Sequence, residues 1–346
     1  MNIEQIPQKG YEEVVLARDP SVGLTTIIAI YSTALGPALG GTRMWPFASE
    51  ELALADVLRL AKAMAYKASA AGLNLGGGKA VVIADPRKDK TRELLQAYAR
   101  VVDSLDGRYV TTADVGTTTE DLDTIGEVTK YVTGTSHGSG NPSVVTAYGV
   151  LHGLRAVATE LWGSPSLRGK RIVVQGTGKV GGQLARHLKD DGATLVLSDI
   201  DKDGAAALAG ELGAETVHPG AVLSTDCDIL SPCALGPVAT DDTLPEFACK
   251  AIAGAANNQL ERPDHADALQ ARGILYAPDY VINAGGLINV EDELHGYDPE
   301  RAHAKAAAIE DRLTRIFERA RTDQTTAAEA ADRLAEERIR GAGRST

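Results

Sequence analysis

The spacing of apolar and polar positions along the chain predicts strands that alternate with helices. Residues 12–19 and 24–33 are rich in Val, Ile and Thr and flank a Pro-Ser-Val-Gly turn, which is typical of paired strands. From residue 49 to 71 the apolar side chains recur at helical spacing, so this segment is predicted to be an amphipathic helix with Ser49 as its N-cap. The other elements predicted in the first half are glycine-rich loops at 35–43 and around 76–79, a strand at 80–84, a helix at 91–105 and a strand at 108–115.

The second half shows the same alternation of strand and helix patterns. In chain order its predicted elements are a helix at 144–161, a strand at 171–175, a helix at 180–189, strands at 194–198, 228–230, 251–253 and 274–276, and helices at 299–319 and 325–340. The last three strands run into loops of small or polar residues, at 231–236, 254–258 and 279–286. This alternation predicts an α/β fold in which parallel strands end at a common edge.

Composition excludes several classes of protein. Lys and Arg number 35 and Asp and Glu number 47, so the net charge is −12, and such an acidic surface repels nucleic acid. No run of 18 apolar residues occurs and the N-terminus lacks an apolar signal-peptide core, so we expect no membrane partner. Three cysteines cannot all pair, which favours a reduced, cytoplasmic protein. Cys227 and Cys233 lack a second ligand pair, so we expect no metal site.

The most specific local signal follows the strand at 171–175. Gly176, Thr177, Gly178, Lys179, Val180 and Gly181 match G-x-G-x-x-G, with a helix pattern after them. A second strand then ends at Asp199, 21 residues beyond Gly178, as a dinucleotide-binding fingerprint requires. Backbone N–H groups of the loop would bind the pyrophosphate, and the carboxylate of Asp199 would bind the ribose 2′-OH and favour NAD over NADP. We therefore predict a Rossmann domain that binds NAD.

A chain of 346 residues is long enough for two domains. We expect the Rossmann dinucleotide-binding domain at 141–324. The other α/β domain would comprise 1–140 and about 325–346, with the final helix returning to it and a cleft between the two domains.

A second glycine-rich segment, Gly76-Gly77-Gly78-Lys79, has two interpretations. A Walker A phosphate loop would need glycine at position 73 and Ser or Thr at position 80, but the chain has Leu73 and Ala80. The segment is then either an ordinary turn or the setting of a catalytic lysine, whose neighbours would include Lys67 and Asp114. If these three side chains share a partly buried pocket, burial and the like charge of Lys67 would lower the pKa of Lys79. The lowered pKa would make Lys79 a possible general base.

Several motifs together resemble one known family. They are LGPALGGTR at 35–43, AMAYK at 63–67, LNLGGGKAVV at 73–82, TTADVGTT at 111–118, the fingerprint, SPCALG at 231–236, GAANNQL at 254–260 and ILYAPDYVINAGGLINV at 274–290. In this order they resemble the amino acid dehydrogenases, the leucine, valine and phenylalanine branch of the glutamate dehydrogenase superfamily. The resemblance covers nearly the whole chain. It implies oxidative deamination of an L-amino acid by NAD⁺ and water to a 2-oxo acid, NADH and ammonium, in a homo-oligomer whose first domain binds substrate and forms the oligomer.

The same resemblance implies roles for individual residues. Lys67 would bind the substrate carboxylate, Lys79 would activate water as the general base, and Asp114 would pair with the amino group and transfer protons. The residues that would border the substrate are Gly40, Gly41 and Asn257, and those that would contact the cofactor besides the fingerprint are Arg43, Thr146, Ala234 and Asn257. On this reading the glycines beside Lys79 let substrate and nicotinamide approach it closely.

By the family pattern, the pocket for the substrate side chain would be formed by Leu39, Thr112, Leu287 and Val290. None of these is charged, which argues against glutamate as the substrate. Thr112 and Leu287 would make the pocket small, which favours leucine, valine or isoleucine over an aromatic amino acid. Activity on phenylalanine or tryptophan is the alternative within the family, and a catalytically silent NAD-binding protein is the alternative outside it.

Overall fold

The computed structural model describes residues 1–343, which divide into two compact units. The first unit contains Met1–Gly140 and Val290–Tyr297 together with the chain from Ala335, and the second contains Asn141–Asn289 and Asp298–Leu334. Residues 344–346, which the sequence assigned to the first domain, lie outside the described residues. Two boundaries differ from the expected division: Val290–Tyr297 belong to the first unit, and residues 325–334 belong to the second unit.

A mixed sheet forms the centre of the first unit. Its strands are β1 (Asn2–Gln5), β2 (Glu13–Asp19), β3 (Leu24–Ser32), β4 (Ala38–Trp45), β5 (Gly76–Ile83) and β6 (Tyr109–Ala113). They are hydrogen-bonded in the order β1-β2-β3-β5-β4-β6. Neighbours are antiparallel from β1 to β5, whereas β4 is parallel to both β5 and β6. This order places β4 between the strand that carries Lys79 and the strand that ends before Asp114.

Three helices pack on this sheet in the described part of the first half: α1 (Glu50–Ala70), α2 (Arg92–Ser104) and α3 (Thr119–Gly126). Each begins with an N-cap hydroxyl, and the Ser49 side chain accepts a hydrogen bond from the Leu52 N–H at 3.3 Å, as the sequence predicted. The buried stripe of α1 is made mostly of alanine, including Ala61 and Ala65. These small side chains let the helix backbone approach β5.

The structure corrects two predicted loops. Residues 38–45 form β4, and residues 76–79 form the first half of β5. Glycine disfavours strands in isolation, which is why the pattern suggested loops. A Cβ at Gly77 would overlap the backbone of α1, and one at Gly78 would lie 2.7 Å from the Tyr109 ring. Gly77 and Gly78 therefore let α1 and Tyr109 pack against β5, which corrects the expectation that these glycines make room for substrate and nicotinamide.

The second unit is built on a parallel sheet. Its strands are β7 (Arg171–Gln175), β8 (Thr194–Ser198), β9 (Glu215–Thr216), β10 (Cys227–Pro232), β11 (Cys249–Ile252) and β12 (Leu275–Tyr276). They are hydrogen-bonded in the order β12-β11-β10-β7-β8-β9, and neighbouring strands are parallel. Because β8 and β10 lie on opposite sides of β7, the strand order reverses there, which is where α/β sheets bind ligands. The predicted α/β class is confirmed.

The helices of the second half are α4 (Pro142–Trp162), α5 (Lys179–Asp190), α6 (Lys202–Leu212), α7 (His265–Ala271), α8 (Asp279–Ile282), α9 (Gly285–Asp292), α10 (Pro299–Ala307), α11 (Ile309–Asp323) and α12 (Ala327–Ala342). The helix predicted at 299–319 is divided at Ala308, a good helix former that gives no sequence signal of a break. The loop predicted at 279–286 contains α8 and the start of α9, since Val281 and Ile282 are buried and drive helix formation.

The C-terminal part of α12 belongs to the first unit. The Arg338 guanidinium donates to the carbonyl oxygen of Leu73 at 2.7 Å and to Oδ1 of Asn74 at 3.0 Å. The Ser69 hydroxyl donates to the carbonyl oxygen of Ala335 at 2.8 Å. These bonds join the end of α12 to the segment that leads from α1 into β5. Among the described residues, no helix combines the length and apolar character needed to cross a membrane.

Candidate active site

Lys79 forms a buried ion pair with Asp114 in the first unit. The Lys79 side chain is only 6% exposed, and its Nζ lies 2.9 Å from Oδ2 of Asp114. The pair reaches across β4, where glycine leaves the necessary space: a Cβ at Gly41 would lie 2.8 Å from Cβ of Asp114 and 2.6 Å from the carbonyl oxygen of Ala113. Gly41, predicted to border the substrate, is thus needed to admit the carboxylate.

Arg43 extends the pair into a chain of alternating charges. Its Nε donates to Oδ2 of Asp114 at 3.1 Å, and its Nη1 donates to Oδ2 of Asp56 at 2.7 Å. Asp56, on α1, also accepts from Arg59 at 2.7 Å. Lys79 and Arg43 therefore share one oxygen of Asp114. The sequence predicted that Arg43 contacts the cofactor, and in the structure Arg43 binds the carboxylate of Asp114.

Burial and charge move the pKa values of this pair. Burial lowers the pKa of the Lys79 ammonium below its ordinary value, and Arg43 acts in the same direction against the opposing effect of Asp114. For Asp114, burial acts to raise the pKa of the carboxyl, but Lys79 and Arg43 outweigh it and the pKa is lowered. Asp114 is therefore ionised at neutral pH, and Lys79 releases its proton more readily than an exposed lysine does.

A tight turn after β6 holds the backbone of Asp114. The Asp114 N–H donates to the Thr117 hydroxyl at 2.9 Å, and that hydroxyl donates to the carbonyl oxygen of Thr42 at 2.8 Å. Gly116 has φ +81°, a conformation that strongly favours glycine. The carboxylate thus projects from a segment that is fixed by hydrogen bonds to β4.

Other residues predicted to contact substrate also belong to the first unit. Lys67 is half-buried in the last turn of α1, as predicted from the sequence. The Gly40 carbonyl accepts a hydrogen bond from the buried Tyr109 hydroxyl at 2.7 Å, which fixes the Gly40-Gly41 peptide. Leu39 is buried on β4, and Thr112 is paired with Gly41 in the register of β4 and β6.

The fingerprint in the second unit adopts the geometry of a phosphate-binding turn. Gly176 has φ +94°, and its N–H donates to the carbonyl oxygen of Ser198 at 2.7 Å. Gly178 is the N-cap of α5, and no heavy atom of the described chain lies within 4 Å of a Cβ built there. A Cβ at Gly181 would overlap the Gly176 carbonyl oxygen. The first and third glycines permit the turn, and the second leaves the helix N-terminus open to an anion.

Asp199 follows β8 and is bound to the fingerprint itself. Its Oδ2 accepts from the Thr177 N–H at 2.6 Å, and its Oδ1 accepts from the Asp201 N–H at 2.9 Å. Burial acts to raise the pKa of the Asp199 carboxyl, but these N–H donors outweigh it and the pKa is lowered. Asp201 caps α6 through the Gly204 N–H at 3.1 Å. Lys179 and Val180 form the first turn of α5.

The remaining predicted residues lie on loops and in helices, and all of them except Val290 belong to the second unit. Oδ1 of Asn257 accepts a hydrogen bond from Nδ2 of Asn283 at 2.7 Å. This bond orients the Asn257 amide so that its own Nδ2 group can donate to a ligand. The Thr146 hydroxyl, in the first turns of α4, donates to the carbonyl oxygen of Pro142 at 2.8 Å. Ala234 is exposed, and its N atom would lie 2.8 Å from a Cβ at Gly176. Leu287 and Val290 are both buried and lie three residues apart on α9.

Known proteins share both parts of this arrangement. Residues 12–131 match the Glu/Leu/Phe/Val dehydrogenase dimerisation domain, and residues 138–209 and 202–342 match the Glutamate/Leucine/Phenylalanine/Valine dehydrogenase domain. The chain belongs to the Glu/Leu/Phe/Val dehydrogenase family. The family resemblance predicted from the motifs is therefore confirmed.

Individual members of the family are similar over nearly their whole length. Leucine dehydrogenase of Thermoactinomyces intermedius is 53% identical over 332 residues, which cover 95% of this chain and 91% of that protein. Valine dehydrogenase of Streptomyces coelicolor is 50% identical over 344 residues, with coverage of 96% and 93%. The crystal structure of L-tryptophan dehydrogenase from Nostoc punctiforme superposes on this chain with a TM-score of 0.90. The two sequences are 46% identical, and the match covers 97% of each chain.

Sequence reasoning missed the residues that orient the predicted ones. These are Asp56, Tyr109, Thr117 and Asn283, which bind Arg43, Gly40, Asp114 and Asn257 respectively. Thr117 had a local signal, because Asp-x-x-Thr at a strand end is typical of a side-chain-capped turn. The others contact partners 13, 69 and 26 residues away, so local patterns carry no sign of them.

Proposed function

We propose that this protein catalyses the NAD-dependent oxidative deamination of a branched-chain L-amino acid. The reaction converts the amino acid, NAD⁺ and water into a 2-oxo acid, NADH, ammonium and a proton. The observation that carries the proposal is the buried pair of Lys79 and Asp114, because it combines a lysine of lowered pKa with an ionised carboxylate. Similarity to leucine and valine dehydrogenases over at least 91% of either chain supports the substrate class.

Lys79 is the proposed general base. Its lowered pKa makes the neutral amine available closer to neutral pH, where it accepts a proton from the water that attacks the imine carbon. Asp114 binds the substrate amino group. Lys79 and Arg43 both occupy its Oδ2, so the other oxygen remains able to accept a hydrogen bond from substrate. Lys67 binds the substrate carboxylate as an ammonium group.

The fingerprint fits NAD. The open N-terminus of α5 at Gly178 offers backbone N–H groups to a pyrophosphate. The Asp199 carboxylate already accepts the N–H groups of Thr177 and Asp201 and, at 3.2 Å, the Thr177 hydroxyl. A carboxylate has about four acceptor sites, so one remains for a ribose 2′-OH. Its negative charge repels a 2′-phosphate, which favours NAD over NADP. NAD, when bound, accepts the hydride from Cα of the substrate, and the protein orients the two reactants.

The substrate side chain is proposed to contact Leu39 and Thr112 in the first unit. Leu39 lies on β4 with Gly41, and Thr112 lies on β6, two residues before Asp114, where it is paired with Gly41. The proposed pocket is therefore bounded by an aliphatic side chain and a β-branched one. One methylene in such a pocket changes the rate by about 10- to 200-fold, so leucine, valine and isoleucine should all react, at different rates.

Initial rates test the substrate class. The purified protein is assayed at 340 nm with NAD⁺ and equal concentrations of leucine, valine, isoleucine, phenylalanine and tryptophan. Branched-chain substrates are expected to give kcat/KM values about tenfold or more above the aromatic ones. The Lys79→Ala variant is the matched control, because it should lose nearly all turnover while it still binds NAD. No turnover with any amino acid would favour a silent NAD-binding protein.

Deamination of an aromatic amino acid is the second candidate. It is favoured by the 46% identity and TM-score of 0.90 shared with L-tryptophan dehydrogenase from Nostoc punctiforme. If phenylalanine or tryptophan reacts tenfold faster than leucine, the argument from Thr112 is wrong. A homo-oligomer is supported by the match to a dimerisation domain, and sedimentation velocity measures it directly.

A further inference from the structure

A row of alternating charges leads from the buried lysine to the surface of α1. The successive contacts are Lys79 to Asp114 at 2.9 Å, Asp114 to Arg43 at 3.1 Å, Arg43 to Asp56 at 2.7 Å and Asp56 to Arg59 at 2.7 Å. The Lys79 side chain is 6% exposed, whereas that of Arg59 is 60% exposed. The three members between them are 17–24% exposed, so exposure is least at Lys79 and greatest at Arg59.

We propose that Asp56, acting through Arg43, is a positioning residue that fixes the carboxylate of Asp114 beside Lys79. The inference rests on the proposed function, because it assigns Asp56 to the same catalytic site. Asp56 is not expected to touch substrate or cofactor. It acts by holding a guanidinium group whose other edge holds the catalytic carboxylate.

The geometry of Arg43 supports this role. Its Nε binds Asp114 and its Nη1 binds Asp56, so two different nitrogens of one planar group are fixed at once. Asp56 lies on α1, which packs closely on β5, and is therefore a rigid anchor. Without that anchor the long arginine side chain would rotate, and Oδ2 of Asp114 would keep only its bond to Lys79.

The charges also act on Lys79 in opposite directions. Burial lowers the pKa of Lys79 most strongly, Arg43 lowers it further, and Asp114 and Asp56 raise it. Arg43 acts from β4, Asp114 from the turn after β6 and Asp56 from α1. Neutralising Asp56 should therefore lower the pH at which Lys79 loses its proton, whereas neutralising Arg43 should raise it. A side chain with a purely structural role would produce neither shift.

The same helix offers a matched control. Glu50, in the first turn of α1, also binds a strand arginine, Arg18 on β2, through contacts of 2.6 and 3.1 Å. Both partners are more than a third exposed, so water screens this pair. Glu50→Gln removes an ion pair between α1 and the sheet just as Asp56→Asn does, but away from Lys79.

The experiment measures kcat/KM for leucine against pH in the wild type and in the Asp56→Asn, Asp56→Glu, Arg43→Gln and Glu50→Gln variants. Asp56→Asn should reduce kcat/KM roughly tenfold and move the acid limb to lower pH by on the order of half a unit. Arg43→Gln should move the limb to higher pH. Asp56→Glu, which keeps the charge, should leave the limb within about 0.2 unit of the wild type, and Glu50→Gln should change neither quantity.

A titration that needs no turnover separates this inference from the proposed function. The Cε resonance of Lys79, identified by its loss in Lys79→Ala, is followed against pH by ¹³C NMR in lysine-labelled protein. A lower midpoint in Asp56→Asn and a higher one in Arg43→Gln support the inference, even if the wild type were inactive on amino acids. Unchanged midpoints would overturn it while leaving the proposed function intact. The inference would also be overturned, with the proposed function intact, if Asp56→Asn lowered activity equally at every pH.

Discussion

Replacement of Gly41 by alanine tests whether the glycine on β4 admits the carboxylate of Asp114. The added Cβ would lie 2.8 Å from Cβ of Asp114 and 2.6 Å from the carbonyl oxygen of Ala113. Ordinary contact between carbon atoms is about 3.5 Å, so Asp114 must move by roughly 3.5 − 2.8 = 0.7 Å. The bond of 2.9 Å to Lys79 would then be broken or bent.

The size of the effect follows from this displacement. A misplacement of about 1 Å at a catalytic group costs on the order of 100-fold in rate, so Gly41→Ala should reduce kcat/KM by roughly 10- to 100-fold. This corresponds to about 1.4–2.7 kcal/mol of transition-state stabilisation. Overpacking of a buried site typically costs about 1–3 kcal/mol of stability, which lowers Tm by roughly 2–10 °C in a unit of this size.

Steady-state rates with leucine and thermal unfolding by circular dichroism measure both quantities. Gly210→Ala is the matched control: Gly210 lies on α6, and nothing in the described chain lies within 4 Å of a Cβ there. That variant should keep full activity and gain about 0.5–1 kcal/mol of stability, because alanine favours a helix. If Gly41→Ala retains more than half of kcat/KM with an unchanged Tm, the steric reasoning is wrong.

Three further predictions address the cofactor, the C-terminal helix and pH. Asp199→Ala should raise KM for NAD about tenfold or more and weaken the preference for NAD over NADP, because it removes an ionised acceptor. If the ratio of kcat/KM for NAD to kcat/KM for NADP were the same in wild type and variant, another residue would recognise the ribose. Arg338→Met should lower the free energy of unfolding by roughly 1–3 kcal/mol in urea titrations through loss of its bond to Leu73, whereas the exposed Arg340→Met should not change it. Since burial lowers the pKa of Lys79, turnover should rise with pH along a limb centred below the ordinary lysine value of about 10.4, and a limb at or above that value would remove Lys79 as the base.

Much of the fingerprint region could be predicted from the sequence. The strand at 171–175, the turn from Gly176 to Gly181 and the carboxylate at Asp199 depend on contacts within some 25 residues, and their spacing alone implies the turn. The helical period of α1 likewise fixed the position of Lys67 in its last turn. These features have local causes: backbone conformation, N-capping and the burial of one helix face.

The roles of Gly41 and of the glycines before Lys79 depend on the tertiary structure. The local pattern of Gly76 to Lys79 indicated a loop, because glycine favours turns when nothing packs against it. In the fold the segment is a buried strand, since α1 and Tyr109 occupy the space that side chains would need. Gly41 is glycine because the Asp114 side chain, 73 residues further along the chain, must pass beside it.

The sequence by itself determined the fold class, the family and the identities of Lys79 and Asp114, since periodicity and motif spacing are properties of short segments. Only the tertiary structure decided that these two side chains meet, that Arg43 joins them and that Asp56 holds Arg43. The physical reason is that an ion pair depends on distance and burial, and both are set by the packing of α1, β4, β5 and β6. The pKa of Lys79 is accordingly a property of the folded unit, although the lysine itself is evident in the sequence.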